Sequence, residues 1–531
     1  MTTARKNSKR SPHPPLSPLG RGKRVRGTVY LIGAGPGDRG LLTLRGASLL
    51  QKAGAVVYDW LVNPSILEFA PSAEKFYVGK NIAKKSSPGY VDQKETNGLL
   101  VKLARQGKTV VRLKGGDPFI FGRGGEEASY LKEKGIRFEV VPGVSAGYAV
   151  PAYAGIPVTD RRFASLVTFV TGHEDPAKKE SSVDWKKLAG IKGTLVSFMG
   201  VKNLPRVAKA LIEGGKSPDT PVSVIEWGTL PKQRVAEGTL KTIAQKVAAQ
   251  KIGSPAVTVI GEVNQLRKKL AWFEKKPLAS KTILITRART QASGLRQDLE
   301  ELGARVLEFP AIRILPPGDW GPLDQALNEI GRFEWMIFTS ANGVEHVFKR
   351  LFELGKDARI FAGIKIAAIG EATEQALKER GLGADLVPGQ FTSEALVSAL
   401  KRMGEIDGRR FLLARTDIAP DYLRKSLESL GGKVREVTAY RTVPGKNSEE
   451  KRKLEEWLKH EKIDFVTFTS SSTVKNFFDA VPKQNRSGLK TRFISIGPVT
   501  SQTLRSYGHT PFREAAEHTI PGLIEVITNG K

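Results

Sequence analysis

Short apolar runs recur along this chain, each cut by a glycine- or proline-bearing turn and followed by an amphipathic stretch. Thr28-Val-Tyr-Leu-Ile32 is one such run; it enters Gly33-Ala-Gly-Pro-Gly-Asp38 and then a helical stretch from Leu41 to Lys52. Ala55–Val62, Val110–Leu113 and Phe138–Val141 are further runs of this kind, which predicts βα units in an α/β lobe. Ser165–Thr171, Gly193–Met199, Val222–Glu226 and Ala256–Ile260 predict the strands of a second α/β lobe. The chain enters it through Tyr148–Arg162, whose two prolines read as a linker.

Residues 273–280 are charged, carry one proline and read as a second linker; a new core starts at Ile283. From there the chain repeats itself. Ile283-Leu-Ile-Thr-Arg-Ala288 returns as Phe411-Leu-Leu-Ala-Arg-Thr416, and Pro310-Ala-Ile-Arg313 as Thr438-Ala-Tyr-Arg441. Phe338-Thr-Ser340 returns as Phe468-Thr-Ser470, and Ala368-Ile-Gly-Glu-Ala-Thr373 as Ser495-Ile-Gly-Pro-Val-Thr500. An offset of 127 to 130 residues is too long for a solenoid, so two copies of one α/β unit facing each other are expected.

The densest punctuation lies in Arg112-Leu-Lys-Gly-Gly-Asp-Pro-Phe-Ile-Phe-Gly-Arg-Gly-Gly-Glu-Glu127. Gly115-Gly116 admits backbone conformations closed to other residues, and Pro118 stops the strand, so a loop is expected at a strand's carboxyl end. Ligands of open α/β sheets sit at that edge, where bare glycine backbone offers N–H and C=O groups; the plainer reading is a tight turn with a glycine cap. Gly33–Asp38 has a nucleotide-site grammar but departs from the dinucleotide fingerprint. Pro36 removes one N–H, and Asp38 stands where a third glycine would, so a ligand without phosphate, such as a sulfonium donor, suits it better.

Asp59 breaks an apolar run at a strand's end and is either a cap or an acid–base group. Lys80 closes Tyr77-Val-Gly-Lys80 and is either a solvated lysine or a proton donor. In the repeat, Ser340, Ser470, Thr373 and Thr500 stand where strands give way to helices. Each reads as an N-cap or as a ligand group, and the two roles are compatible because a helix N-terminus binds anions.

The chain has no cysteine and six scattered histidines, so no metal site is expected, and no run of 18 apolar residues predicts a membrane span. The net charge is +30, of which residues 1–26 supply eight basic side chains and no acid. That head is rich in Pro, Ser and Gly and is expected to be disordered, with an organellar transit peptide as the other reading. A basic body could grip nucleic acid or steer a polyanionic small molecule.

Taken in order, Gly33-Ala-Gly-Pro-Gly-Asp38, Val56-Val-Tyr-Asp-Trp-Leu-Val62, Arg112–Glu127 and Pro142-Gly-Val-Ser-Ala146 resemble uroporphyrinogen-III C-methyltransferase, a tetrapyrrole methylase. The resemblance covers about residues 27–265 and gives a two-lobed α/β domain over 27–272. It implies S-adenosylmethionine held between the lobes by Pro36, Gly115, Gly116, Asp117, Ile120, Ser145, Ala146, Met199 and Gly228. It also implies Asp59 as proton acceptor and Lys80 as proton donor, with one residue fewer between them than the family has. The implied reaction puts two methyl groups on pyrrole carbons to give precorrin-2, and the implied assembly is a homodimer.

Residues 281–531 resemble uroporphyrinogen-III synthase through Phe338-Thr-Ser-Ala-Asn-Gly343, Ala439-Tyr-Arg-Thr-Val443 and Thr467-Phe-Thr-Ser-Ser-Ser-Thr-Val474. This implies an internally duplicated, two-lobed α/β domain whose lobes are joined by two extended strands, near Pro310–Ile314 and Ala439–Val443. The implied reaction cyclises hydroxymethylbilane with inversion of its last ring. Tyr440 would face the cleft and assist loss of the hydroxyl, or else pack in the hinge; Thr373, Thr500, Ser340 and Ser470 would bind substrate. The expectation is a bifunctional cytoplasmic enzyme on the way to sirohaem or cobalamin, acting on small tetrapyrroles and using neither nucleic acid nor membrane. Its rivals are a basic nucleic-acid-binding protein and an RNA methylase of the same superfamily.

Overall fold

The computed structural model describes residues 27–79, 92–172, 183–287, 289–309, 311–444, 448–460, 462–482, 486, 488–489 and 491–529. The basic head and Lys80 lie outside them. The chain divides into two compact units, the first ending at Lys276 and the second starting at Pro277.

The first unit opens with a wholly parallel sheet of β1 (Thr28–Gly33), β2 (Ala55–Tyr58), β3 (Glu74–Tyr77), β4 (Val110–Lys114) and β5 (Arg137–Val141), in the order β3-β2-β4-β1-β5. Helices cover both faces, which is why its central strands read as unbroken apolar runs. Val29, Leu31, Val57 and Val110 fill one face, and Ile32, Val56, Val111 and Leu113 fill the other. A second, mixed sheet holds β6 (Val167–Thr171), β7 (Thr194–Phe198), β8 (Pro221–Glu226), β9 (Arg234–Thr239) and β10 (Ala256–Ile260), in the order β6-β7-β10-β8-β9.

Tyr148–Arg162 is not simply a linker. Ala146–Tyr153 is a helix that contains Pro151 and is capped by Ser145. Burial of Ala149, Val150 and Pro151 offsets the hydrogen bond that the proline removes. The helix sits so close to the second sheet that a Cβ on Gly147 would stand 2.7 Å from the rings of Phe169 and Phe198. At the other end of the unit, Phe273–Lys275 forms a single 3-10 turn packed onto the first unit. The Phe273 ring lies 5.0 Å from Tyr153, Gln233 Nε2 donates to Glu274 Oε1 at 2.9 Å, and Trp272 Nε1 donates to the Ala152 carbonyl at 3.0 Å.

The second unit has two five-stranded sheets. One is parallel, with β11 (Thr282–Ile285), β12 (Arg305–Glu308), β18 (Phe465–Phe468), β19 (Arg492–Ser495) and β20 (Arg513–Glu514), in the order β12-β11-β18-β19-β20. The other holds β13 (Ile312–Leu315), β14 (Trp335–Phe338), β15 (Lys365–Ala368), β16 (Arg410–Thr416) and β17 (Lys433–Pro444), in the order β13-β17-β16-β14-β15. The two copies of the repeat therefore do not each form a lobe. Ile283 pairs with Phe465 and Trp335 pairs with Phe411, so the first half of each copy joins the second half of the other. The exchange runs through the two extended strands, where Ile312–Leu315 pairs antiparallel with Arg441–Pro444.

Candidate functional site

At the carboxyl edge of the first sheet three turns press together backbone to backbone. Gly116 N donates to the Gly35 carbonyl at 2.7 Å, and Gly35 N donates to the Gly116 carbonyl at 3.2 Å. A Cβ on Gly143 would stand 2.3 Å from the Gly116 carbonyl oxygen, and one on Gly33 would stand 2.5 Å from Gly143 Cα. Asp117 ties the arrangement from its side chain: Oδ1 accepts from Phe119 N at 2.8 Å and Oδ2 from Gly143 N at 2.9 Å. Pro36, Gly115, Gly116, Asp117, Ile120, Ser145 and Ala146 all stand on or beside these turns. Ser145 is buried, its hydroxyl spent on Gly147 N at 3.2 Å.

The second sheet of this unit contributes the facing rim. Gly228 packs on the helix Ala146–Tyr153, where a Cβ would stand 2.3 Å from Val150 Cγ1. Met199, left exposed, follows Phe198, whose ring lies 5.0 Å from Phe121; Trp227 lies edge-on to Trp60 at 5.6 Å. Asp38 does not face the space as a free carboxylate. It accepts from Tyr153 Oη and from Gly40 N, both at 2.7 Å, while its own N–H donates to Thr229 Oγ1 at 3.1 Å. The carboxylate that stands in the place of a third glycine is thus a tie to Tyr153 and, through its backbone, to Thr229.

Two features at and beneath this site were not among the sequence expectations. Phe121, Arg123, Met199, Trp227 and Thr229 all have positive φ, between 49° and 69°. Strained non-glycine backbone persists only where surrounding structure enforces it, and it gathers at functional sites. The neighbouring Gly122, Gly124, Gly200 and Gly228 were the available signal. The second feature is a buried ionic cluster under β4. Arg112 Nε donates to Glu127 Oε1 at 3.1 Å, Lys114 Nζ to the same oxygen at 3.0 Å, and Arg112 Nη2 to Asp59 Oδ2 at 3.1 Å. Burial alone would raise the Glu127 carboxyl, but Arg112 and Lys114 hold it below the usual range. Burial, with Arg112 close by, pushes the Lys114 ammonium down.

In the second unit Tyr440 is buried beside the hinge, its hydroxyl 2.9 Å from Ser340 Oγ and its ring 5.6 Å from His346. Burial pushes its phenol up, against the hydrogen bonds to Ser340 and Asn342. Ser340 and Ser470 are the N-caps of the helices Ala341–Glu353 and Ser471–Ala480. Thr373 is buried and donates back to the Ile369 carbonyl at 2.8 Å; Thr500 is buried in the first turn of Pro498–Ser506. Ser340 and Tyr440 touch, while Ser470 and Thr500 belong to the other sheet of the unit.

Among the described residues no cluster of acids and histidines could hold a metal, and no helix is long and apolar enough to cross a membrane. The fold defines a two-unit α/β protein with close-packed glycine turns at a sheet's carboxyl edge in one unit and a duplicated pair of sheets joined by two extended strands in the other. Residues 28–244 match the tetrapyrrole (corrin/porphyrin) methylase family, and residues 293–525 match uroporphyrinogen-III synthase HemD. A porphyrin biosynthesis protein HemD of Ruminiclostridium josui is 38% identical over 94% of this chain and 97% of its own length. A uroporphyrinogen-III C-methyltransferase of Bacillus subtilis is 43% identical over 67% of this chain and 72% of its own. An S-adenosyl-L-methionine-dependent uroporphyrinogen III methyltransferase of Methanosarcina barkeri is 54% identical over 45% of this chain and 93% of its own. The chain belongs to the family of proteins that fuse a tetrapyrrole methylase to a uroporphyrinogen-III synthase.

Proposed function

We propose that this chain closes hydroxymethylbilane to uroporphyrinogen III in its second unit and methylates that product twice, to precorrin-2, in its first. The observation that carries the reading is the pairing of both family matches on one chain, with a relative that aligns over 94% of this chain and 97% of its own length. A nucleic-acid-binding protein or an RNA methylase would leave the synthase half without a purpose. The substrates are polycarboxylates, which a basic body attracts by long-range steering.

In the first unit Pro36, Gly115, Gly116, Asp117, Ile120, Ser145, Ala146, Met199 and Gly228 would hold S-adenosylmethionine. The fit rests on the close-packed Gly33, Gly116 and Gly143 turns, which bring main-chain groups together at the carboxyl edge of the sheet beside these residues. When bound, the donor supplies an activated methyl group to a pyrrole carbon. The chain's own part is alignment, which counts most when two bound partners react, together with an acceptor for the ring proton. Asp59 takes that role, supported by its place just past the end of β2, where Arg112 holds Oδ2 at 3.1 Å and 20% of the side chain stays exposed. Lys80 is the proton donor in this reading. In the second unit the buried, neutral Tyr440 phenol donates to the departing hydroxyl, Ser340 orients it, and Thr373, Thr500 and Ser470 line the substrate's path. The active form is a homodimer through the first unit and resides in the cytoplasm.

The test is optical. Given hydroxymethylbilane and S-adenosylmethionine, the chain should generate the dipyrrocorphin absorption of precorrin-2. Accumulation of uroporphyrin I alone after oxidation would reject the synthase assignment, and uroporphyrin III without precorrin-2 would reject the methylase assignment.

A further inference from the structure

We infer that Arg112, locked in place by Glu127, is a positioning residue that fixes the Asp59 carboxylate for its work on the tetrapyrrole. The inference rests on the reading of Asp59 as proton acceptor.

Three observations converge on it. The Arg112 guanidinium is buried and every edge of it is engaged: Nε with Glu127 at 3.1 Å, Nη1 with the Leu113 and Val57 carbonyls at 3.1 and 3.4 Å, and Nη2 with Asp59 Oδ2 at 3.1 Å. Its partner is held through one oxygen: Glu127 Oε1 also accepts from Lys114 at 3.0 Å and from Gln93 at 3.1 Å, while Oε2 is buried with no partner. The two Asp59 oxygens are then chemically distinct: Oδ2 belongs to Arg112, and Oδ1 is buried with no partner. The Asp59 side chain nonetheless keeps 20% of its surface exposed, so the carboxylate that Arg112 holds still has an open side. The Arg112 guanidinium reaches Asp59 through Nη2 alone, and its place is set by the bonds that Nε and Nη1 make elsewhere; a lysine ammonium has no second edge to be held by.

The cycle that tests this uses the full chain with Arg112→Lys, Asp59→Asn and the double variant. Three quantities are read: single-turnover transfer of a labelled methyl group to uroporphyrinogen III, the affinity for S-adenosylhomocysteine, and thermal stability. Arg112→Lys is expected to lower methyl transfer at least tenfold while S-adenosylhomocysteine affinity stays within about twofold, with less than about twofold further loss once Asp59 is asparagine. Equal loss in both backgrounds, or loss of affinity in step with rate, overturns the positioning role and leaves Asp59 as acceptor untouched. Full activity of Asp59→Asn overturns the acceptor reading itself, and the positioning role with it. Should Arg112→Lys fail to accumulate folded, the same cycle with Gln93→Met decides. That change removes one donor to Glu127 without orphaning a charge, and a threefold loss confined to the Asp59 background is expected; no loss overturns the inference.

Discussion

Under β4 two cations are buried together with Glu127, and a second carboxylate, Asp59, is tied to them. At the strand ends of the second unit the buried polar groups are mostly hydroxyls, Tyr440 on Ser340 and Thr373 on its own helix, with the buried arginine Arg415 paired to Glu436 at 2.7 Å. The two materials behave differently when disturbed. A buried charge that loses its partner is left uncompensated at a cost of about 3–5 kcal/mol, whereas a lost neutral hydrogen bond costs about 1 kcal/mol. Charge locks one geometry, as suits a methyl transfer that depends on alignment. Hydroxyl pairs re-form cheaply, as suits two lobes joined by a pair of extended strands.

The contrast is broken most directly at Glu127. Glu127→Gln keeps the shape but strands Arg112 and Lys114, so the full chain should lose about 3–5 kcal/mol in chemical denaturation; a loss below about 1 kcal/mol would mean the cluster is not dry. Gly143→Ala probes the glycine turns. Its Cβ would meet the Gly116 carbonyl oxygen at 2.3 Å, and neither backbone can yield alone. A cost of about 1–3 kcal/mol is expected, with S-adenosylhomocysteine binding weakened at least about tenfold and uroporphyrinogen III synthesis unchanged. On the hydroxyl side, Tyr440→Phe should cost only about 1 kcal/mol of stability yet slow cyclisation about tenfold or more. Because burial raises the phenol, its donor form and the stability it carries persist through the ordinary tyrosine range near 10 and are lost only above it, so wild-type cyclisation should show no alkaline limb below about pH 10.

Much of this was readable in the chain. The central strands of the first sheet, β1, β2 and β4, fall on apolar runs, because parallel strands covered on both faces leave no polar side to blur the pattern. β9 was missed for the opposite reason: Arg-Val-Ala-Glu-Gly-Thr is an edge strand in which only Ala236 is fully buried. The helix Ala146–Tyr153 hid behind Pro151, and the exchange of halves in the second unit could not be read because a repeat gives equivalence without saying which strands pair. The ionic cluster was legible in principle. Val110-Val-Arg-Leu-Lys114 is a buried strand in which Arg112 and Lys114, two residues apart, share a face, and two cations on a buried face demand a carboxylate. The residue supplying it, Glu127, stands in the same motif, one loop and a first helical turn away.

The smallest effect separates the two sheets of the second unit in acid. Glu334, at the start of β14, is forked to Arg410: Oε1 accepts from Nη2 at 2.8 Å and Oε2 from the backbone N at 2.7 Å, and these bonds hold its carboxyl down at about 2. A carboxyl depressed in the fold contributes its stability in full above its ordinary value of 4.5 and loses it as pH falls towards 2. His509 belongs to the other sheet, its ring stacked 4.9 Å from Phe478 and edge-on to Phe493 at 5.0 Å, and burial there pushes its imidazole below the ordinary 6.5. The unfolded chain therefore takes up that proton first. The His509 contribution is whole above 6.5 and fades below it, well before Glu334 is touched. Between pH 7.5 and 5.5 the midpoint of the second unit's thermal transition should fall by on the order of 1 °C, His509→Gln should flatten that fall, and Glu334→Gln should leave it unchanged. A wild-type midpoint that does not move across this interval would mean that the imidazole is as free in the fold as in water.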